Sequence, residues 1–241
     1  VDTSKPGTYK VEGTVDGTKL TASVNVVVKE VAPKVESVSA NNLKSAVVTF
    51  NKAVDEDSVT NDTVKVLDKD GNVIATTLKL VDSKTLAVVY NTPLNQSDEV
   101  ELVVDGVKTT GGANVTKYDQ SFTVNDTTLP VVQSARALNP KQVELKFSEP
   151  VNFSTGNGYQ VLNNITIDGT PVIAKATPNA ATNTVVLEFS SPLTAGTKKL
   201  AVSGISDYAN FKIAKSEFSI DVTEDKAAPE ITKAEMINKN K

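Results

Sequence analysis

The sequence predicts an all-β chain of tandem sandwiches, and three observations carry that prediction. A block of about a hundred residues occurs twice and then begins a third time. Within each block, apolar residues alternate with polar ones. The alternating runs are separated by Gly, Asn, Asp, Ser and Pro clusters, and no stretch keeps a helical period. Repeats of this kind have to be recognised before any fold is assigned. A chain of 241 residues has room for two ordinary domains.

The repeat is anchored on Pro33, Pro130 and Pro229, spaced 97 and 99 residues apart. Pro33-Lys34-Val35-Glu36-Ser37-Val38 matches Pro130-Val131-Val132-Gln133-Ser134-Ala135. Seventeen residues after its proline, each full copy reaches a phenylalanine, Phe50 or Phe147. Leu86-Ala87-Val88-Val89-Tyr90 then matches Val185-Val186-Leu187-Glu188-Phe189, and each is followed by a Pro-Leu pair, Pro93-Leu94 or Pro192-Leu193. Leu102 to Val107 matches Leu200 to Ile205, and Phe122 and Val124 are aligned with Phe218 and Ile220.

The runs have period two. Val143, Leu145 and Phe147 point one way, Glu144 and Lys146 the other, as in a strand with one buried face. About seven such runs fall in each copy. Seven short strands in roughly a hundred residues predict an immunoglobulin-like sandwich. Asp70-Gly71-Asn72 and Asp168-Gly169 are the expected hairpin turns, because Gly accepts positive φ without steric cost.

Residues 1–31 lie outside the repeat. Thr8 to Val15 and Leu20 to Val26 alternate, and Asp16-Gly17 between them is expected to make a tight hairpin turn. They read as the last two strands of a preceding immunoglobulin-like domain, since a lone hairpin is marginal in water. Residues 32–127 and 128–226 form one immunoglobulin-like domain each. Residues 227–241 start a further repeat and are expected to be poorly ordered.

Composition excludes several functions. The chain has no Cys, His or Trp, which removes thiolate chemistry and the imidazole base. No nucleophile stands in an activating context, so no catalytic residue is assigned and no enzyme is expected. Asp55-Glu56-Asp57 reads as a loop or helix-start cap rather than a carboxylate dyad. Net charge is −4 and Arg136 is the single arginine, which argues against nucleic acid. No apolar run approaches the ~20 residues of a membrane helix.

The Pro-x-Val-x-Ser start is followed by an alternating run ending in Phe, then Asn51-Lys52-Ala53-Val54-Asp55 or Ser148-Glu149-Pro150-Val151. This pattern resembles the immunoglobulin-like repeats of surface-layer (S-layer) proteins of Gram-positive bacilli. Gly7-Thr8-Tyr9-Lys10-Val11-Glu12-Gly13 resembles the end of a different bacterial immunoglobulin-like repeat. The resemblance implies a secreted structural protein of the cell surface. It would assemble with copies of itself in a lattice and reach cell-wall polymer through regions outside this chain. Such modules also serve as adhesin stalks, as carbohydrate-binding modules and as spacers of surface enzymes. A carbohydrate platform would draw on Tyr118, Tyr159 or Tyr208. Family members often carry Asp-x-x-Gly-Asn in the late loop. The second copy has Asp207-Tyr208-Ala209-Asn210 without the Gly, and the first has Gly111-Gly112-Ala113-Asn114 without the Asp.

One joint is a candidate metal site, the other reading being a polar linker that holds no ion. Strand direction alternates, so the loop after Phe147 and the loop after Val202 return to the pole where the linker Val124 to Pro130 enters. Asp126, Glu149 and Asp207 therefore meet at this inter-domain joint. Several carboxylate oxygens in one place suit a hard cation, calcium above all. The linker also loosely resembles the calcium-bearing linkers of cadherins. The joint before the first repeat, at Lys29-Glu30-Val31-Ala32, offers fewer oxygens, and Glu224-Asp225 stands at the next. Val47, Val89 and Val186 break the alternation on outer faces, and a second buried layer is the favoured explanation over lateral contacts.

Overall fold

A computed structural model describes residue 2 and residues 6–224. Among the described residues, seventeen strands make up the regular structure, with one 3-10 turn at Glu56–Ser58. Asp55 caps that turn, its carboxylate accepting from Asp57 N–H at 3.3 Å, so the acidic trio is a cap. The start of a further repeat at 227–241 lies outside the described residues.

Strands β1 (Gly7–Thr14) and β2 (Thr21–Val28) form an antiparallel hairpin paired from Gly7↔Val28 to Thr14↔Thr21. Its turn is wider than the tight one expected at Asp16-Gly17. Six residues intervene, closed by Val15 N–H donating to the Leu20 carbonyl, with Gly17 at φ 78°. Val11, Val15, Leu20, Val24 and Val27 are all exposed.

The next strands build a sandwich. Strands β3 (Val35–Ser39), β4 (Ser45–Phe50), β7 (Thr76–Leu80) and β8 (Thr85–Tyr90) make one sheet in the order β3-β4-β8-β7. Strands β5 (Val64–Asp68), β6 (Val73–Ile74), β9 (Glu99–Val104) and β10 (Tyr118–Thr123) make the facing sheet, ordered β10-β9-β5-β6. The alternation dictates the layers. Val48, Phe50, Leu86, Val88 and Tyr90 turn inward to meet Val64, Val66, Leu102 and Val104, and each is at most 1% exposed. Burying one such side chain stabilises by about 1.5–3 kcal/mol, against the entropy of ordering it.

The second sandwich repeats the plan with one difference. Its strands are β11 (Val132–Asn139), β12 (Gln142–Phe147), β13 (Gln160–Ile167), β14 (Thr170–Asn179), β15 (Thr184–Phe189), β16 (Gly196–Val202) and β17 (Ser216–Val222). They form one continuous sheet, ordered β11-β12-β15-β14-β13-β16-β17. The cause is β14. It is ten residues long, pairing with β13 through Ala174 and with β15 from Ala174 onward. In the first copy the same segment is broken at Ala75 into β6 and β7. The continuous sheet folds over at β14, β11 comes to lie against β17, and one core fills the fold.

The two copies agree in small features. Both have a register shift one residue into the first pairing, after Val35 and after Val132. Leu94 N–H donates to the Leu43 carbonyl and Leu193 N–H to the Pro140 carbonyl, each at 2.8 Å. One sequence alignment needs correction. Phe122 pairs with Val100, whereas Phe218 pairs with Leu200, the counterpart of Leu102. The last strands therefore correspond two residues later. Val124 answers to Val222, and Asp126 to Glu224.

Asp168-Gly169 is the two-residue hairpin turn expected, with φ of 50° and 82°. Val47, Val89 and Val186 are half-buried, and Val89 and Val186 line one groove of about 620 Å³ that the two sandwiches share.

Candidate metal centre at the joint

The linker leaves β10 through Val124, which is fully buried in the first core, so its path is fixed before it reaches the joint. Gln96 then holds the backbone of Asp126 from both sides. Its Nε2 donates to the Asp126 carbonyl at 2.6 Å, and its Oε1 accepts from Asp126 N–H at 2.9 Å. Asp126 Oδ1 accepts from Thr128 N–H at 3.2 Å.

Glu149 follows β12, where Phe147 is buried in the second core. Glu149 Oε1 accepts from the Thr128 hydroxyl at 3.2 Å. Asp207 lies in the loop after β16, bridged to Val151. Its Oδ1 accepts from Phe211 N–H at 2.9 Å, and its own N–H donates to the Phe211 carbonyl at 3.0 Å. Asn210 supplies the left-handed turn residue of this loop, at φ 70°, where the first copy uses Gly112 at φ 80°. Asn is among the few non-glycine residues that tolerate that region, which explains how the late loop does without its glycine.

All three carboxylates are buried, with Asp126, Glu149 and Asp207 2%, 7% and 1% exposed. One ligand oxygen from each lies within 4.8 Å of those of the other two. Each carboxylate spends one oxygen on a protein donor, while Asp126 Oδ2, Glu149 Oε2 and Asp207 Oδ2 are buried without a hydrogen-bond partner. Such orphaned acceptors are costly. Burial, then repulsion from Asp126 and Asp207, pushes the Glu149 carboxyl up to about 7. Asp207 is raised as well, first by burial, while the Phe211 N–H opposes the shift. Oxygens that share a calcium ion at about 2.3–2.6 Å stand at most about 5 Å apart, and the observed spacing meets that limit. The donor set is all hard oxygen, which fits calcium.

The same positions in the first copy are Lys29, Lys52 and Thr109. Thr109 is bridged to Val54 as Asp207 is to Val151, and its Oγ1 accepts from Ala113 N–H at 3.1 Å. Lys52 Nζ lies 3.7 Å from Glu30. The first copy thus places an ammonium where the second has a carboxylate.

Sequence reasoning missed the supports of the site. Gln96 and Thr128 carry no motif. Tyr208 and Ala209, next to Asp207, pack against the first core, and Lys44 Nζ stands 5.5 Å from the Tyr208 ring centroid. Of the tyrosines expected on loops, Tyr118 also packs on that core. Tyr159 is exposed, its hydroxyl donating to Glu188 Oε1.

The fold and joint define a class: tandem β-sandwich modules clamped through a buried acidic linker. The curated relatives narrow it. The chain is 34% identical over 206 residues to the Surface-layer 125 kDa protein of Lysinibacillus sphaericus, covering 84% of this chain. It is 34% identical over 204 residues to the Outer cell wall protein of Brevibacillus brevis, covering 82% of this chain. The chain is a relative of these surface-layer and outer cell wall proteins, as its repeat pattern implied. It spans 17% and 18% of their lengths. No family model matches the chain. Among solved structures, the N-terminal part of the bacterial S-layer protein SbsC aligns with a TM-score of 0.40 and 16% identity, covering 79% of this chain and 44% of that one. Native alpha-2-macroglobulin of Escherichia coli, domains MG0-NIE-MG1, aligns with a TM-score of 0.36 and 13% identity, covering 79% of this chain and 71% of that one.

Proposed function

We propose that the chain is a structural segment of a self-assembling bacterial surface layer on the outside of the cell. Residues 32–127 and 128–226 are two of its modules, and a calcium ion held by Asp126, Glu149 and Asp207 stiffens their joint. The surface-layer reading is supported by the two curated relatives. The joint rests on one observation: three buried carboxylates, each with an oxygen no protein group satisfies. Without a cation this cluster is a concentrated negative charge in a dry place, which destabilises the closed joint. With one, the same oxygens bind linker and second module into one unit.

Residues 1–31 are read as the closing hairpin of a preceding sandwich, since their exposed valines and leucine need a covering sheet. The partners are copies of the same protein, held by many weak contacts repeated across a lattice. Cell-wall polymer is reached through other regions. The role is to span and hold rather than to transform a substrate.

Terbium tests the joint directly, because Tyr208 adjoins the ligand Asp207 and serves as a light-harvesting donor. Adding terbium should produce sensitised emission at one site per chain, displaced by calcium and abolished in Asp207→Asn. Absence of emission and of calcium heat in calorimetry would remove the ion. Electron microscopy of purified protein, with calcium and with chelator, tests assembly. Dispersed monomers under both conditions would remove the lattice role.

A further inference from the structure

The two ends of the repeat unit are complementary. At the joint, Tyr208 and Ala209 of the second module sit on the far pole of the first. Lys44 is a fixed seat there, its Nζ donating to the Tyr90 carbonyl at 2.6 Å and the Asn91 carbonyl at 3.0 Å while facing the Tyr208 ring. Leu43 beside it is 5% exposed, and Asp126 closes the pole from the linker.

The far pole of the second module has the same construction. Lys141 stands where Lys44 stands, Pro140 where Leu43 stands, and Leu193 where Leu94 stands. The backbone ties match, since Phe189 N–H donates to the Lys141 carbonyl at 2.8 Å and Tyr90 N–H to the Lys44 carbonyl at 2.9 Å. Glu224 takes the place of Asp126. Yet Lys44 is half-buried and Lys141 exposed, and Asp126 is buried where Glu224 is exposed. Asn139, Pro140, Lys141, Leu193, Ala195 and Glu224 line a groove of about 900 Å³ at this pole. Ala195 stands where Gln96 stands in the first module.

We infer that this groove is the seat for the late-loop aromatic of a following sandwich module, with Glu224 as the first carboxylate of the next joint. The equivalent surface on the first module is already occupied by the Tyr208 loop, and the second offers the same lysine, apolar floor and linker carboxylate. A ring over an ammonium combines cation–π attraction with apolar burial. This inference rests on the reading of the chain as a modular rod.

The test is a chain whose residues 1–224 are followed directly by a second copy of residues 127–224. Glu224 then occupies the linker position that Asp126 holds at the native joint. The first Tyr208 is changed to Phe so that only the appended Tyr208 reports. Tyrosine nitration and peptide mapping should find the appended Tyr208 protected as Tyr208 is in the parent chain, relative to the same residue in the urea-unfolded chain. Lys141→Glu, a change at an exposed position, should restore reactivity, as should Leu193→Asp. Nitration of the appended Tyr208 at the rate of the unfolded chain, or protection that survives both substitutions, overturns the inference. Terbium emission from the parent chain is read separately, so loss of the calcium joint and loss of this seat give different results.

Discussion

Gln96 and Asp126 hold each other through a closed pair of hydrogen bonds, one from the amide nitrogen to the Asp126 carbonyl and one from Asp126 N–H to the amide oxygen. The glutamine touches only the backbone of Asp126, so it leaves the carboxylate free to face Glu149 and Asp207. Gln96→Ala removes the pin and leaves every acidic group in place. Supporting groups around a metal site typically contribute about 10–100-fold in affinity. Calcium affinity, measured by calorimetry, should fall by roughly tenfold, and the melting temperature of the chelated protein should fall as well, because the Asp126 N–H and carbonyl lose their partner. An unaltered affinity would mean that Val124 alone positions the linker.

The cluster makes the calcium-free chain sensitive to pH. Glu149 titrates near its ordinary 4.5 when unfolded and at about 7 when folded. Between those values the folded chain binds the proton more tightly, so rising pH lowers stability. Below the window Glu149 contributes no penalty, and above about 7 the whole penalty is present. Asp207 shifts in the same direction. In chelator, the melting temperature should decline as pH rises from about 5 to 7.5. Glu149→Gln should flatten that decline, raise the chelated melting temperature at the upper end, and abolish the response to calcium. A chelated protein that becomes more stable across this window would show that the carboxylates are not buried together.

The joint could be located in the sequence because two simple rules reach it. Alternation fixes strand direction, and strand direction fixes which loops share a pole, so Asp126, Glu149 and Asp207 fall together without any motif. The rules stop where contacts become specific. Tyr208 looks like any loop tyrosine in sequence, because its burial depends on the neighbouring module's Lys44. Whether the corner strand breaks at Ala75 or runs on through Ala174 depends on packing that alternation does not encode. Phe122 and Phe218 look equivalent in the sequence, but pairing with β9 and β16 sets the register and places the counterpart of Phe122 at Ile220.

The first copy offers a control for the proposed calcium site, with Lys29, Lys52 and Thr109 at the positions of the three carboxylates. The Lys52–Glu30 pair there is exposed, and such pairs contribute little. The triple change Lys29→Asp, Lys52→Glu and Thr109→Asp should transplant the cluster, because the Val54–Thr109 bridge already brings the loops together. Bound terbium should rise from one ion per chain to two. Stoichiometry that stays at one in the variant would mean that the loops alone do not build the site.

Tyr90 is the one residue outside the joint with a buried, unpartnered polar atom among the described residues. Its ring is fully buried in the first core, and its hydroxyl has been drawn out of water without a replacement bond. Burial holds that hydroxyl well above the ordinary tyrosine range, so it remains neutral under any usual condition. The second copy has Phe189 at this position, 2% exposed, in the same place on the same strand. The fold therefore accepts a ring there without the oxygen. Leaving a buried polar group unsatisfied costs about 1–3 kcal/mol, offset by whatever the ring loses in contacts when the oxygen is removed. Tyr90→Phe should stabilise the first module by about 1 kcal/mol, an upward shift of several degrees in melting temperature for a unit of this size. Calorimetric unfolding would register this as an upward shift of the first module's transition only, with calcium binding unchanged. A destabilised variant would place an ordered water, or a neighbour that moves, against the hydroxyl.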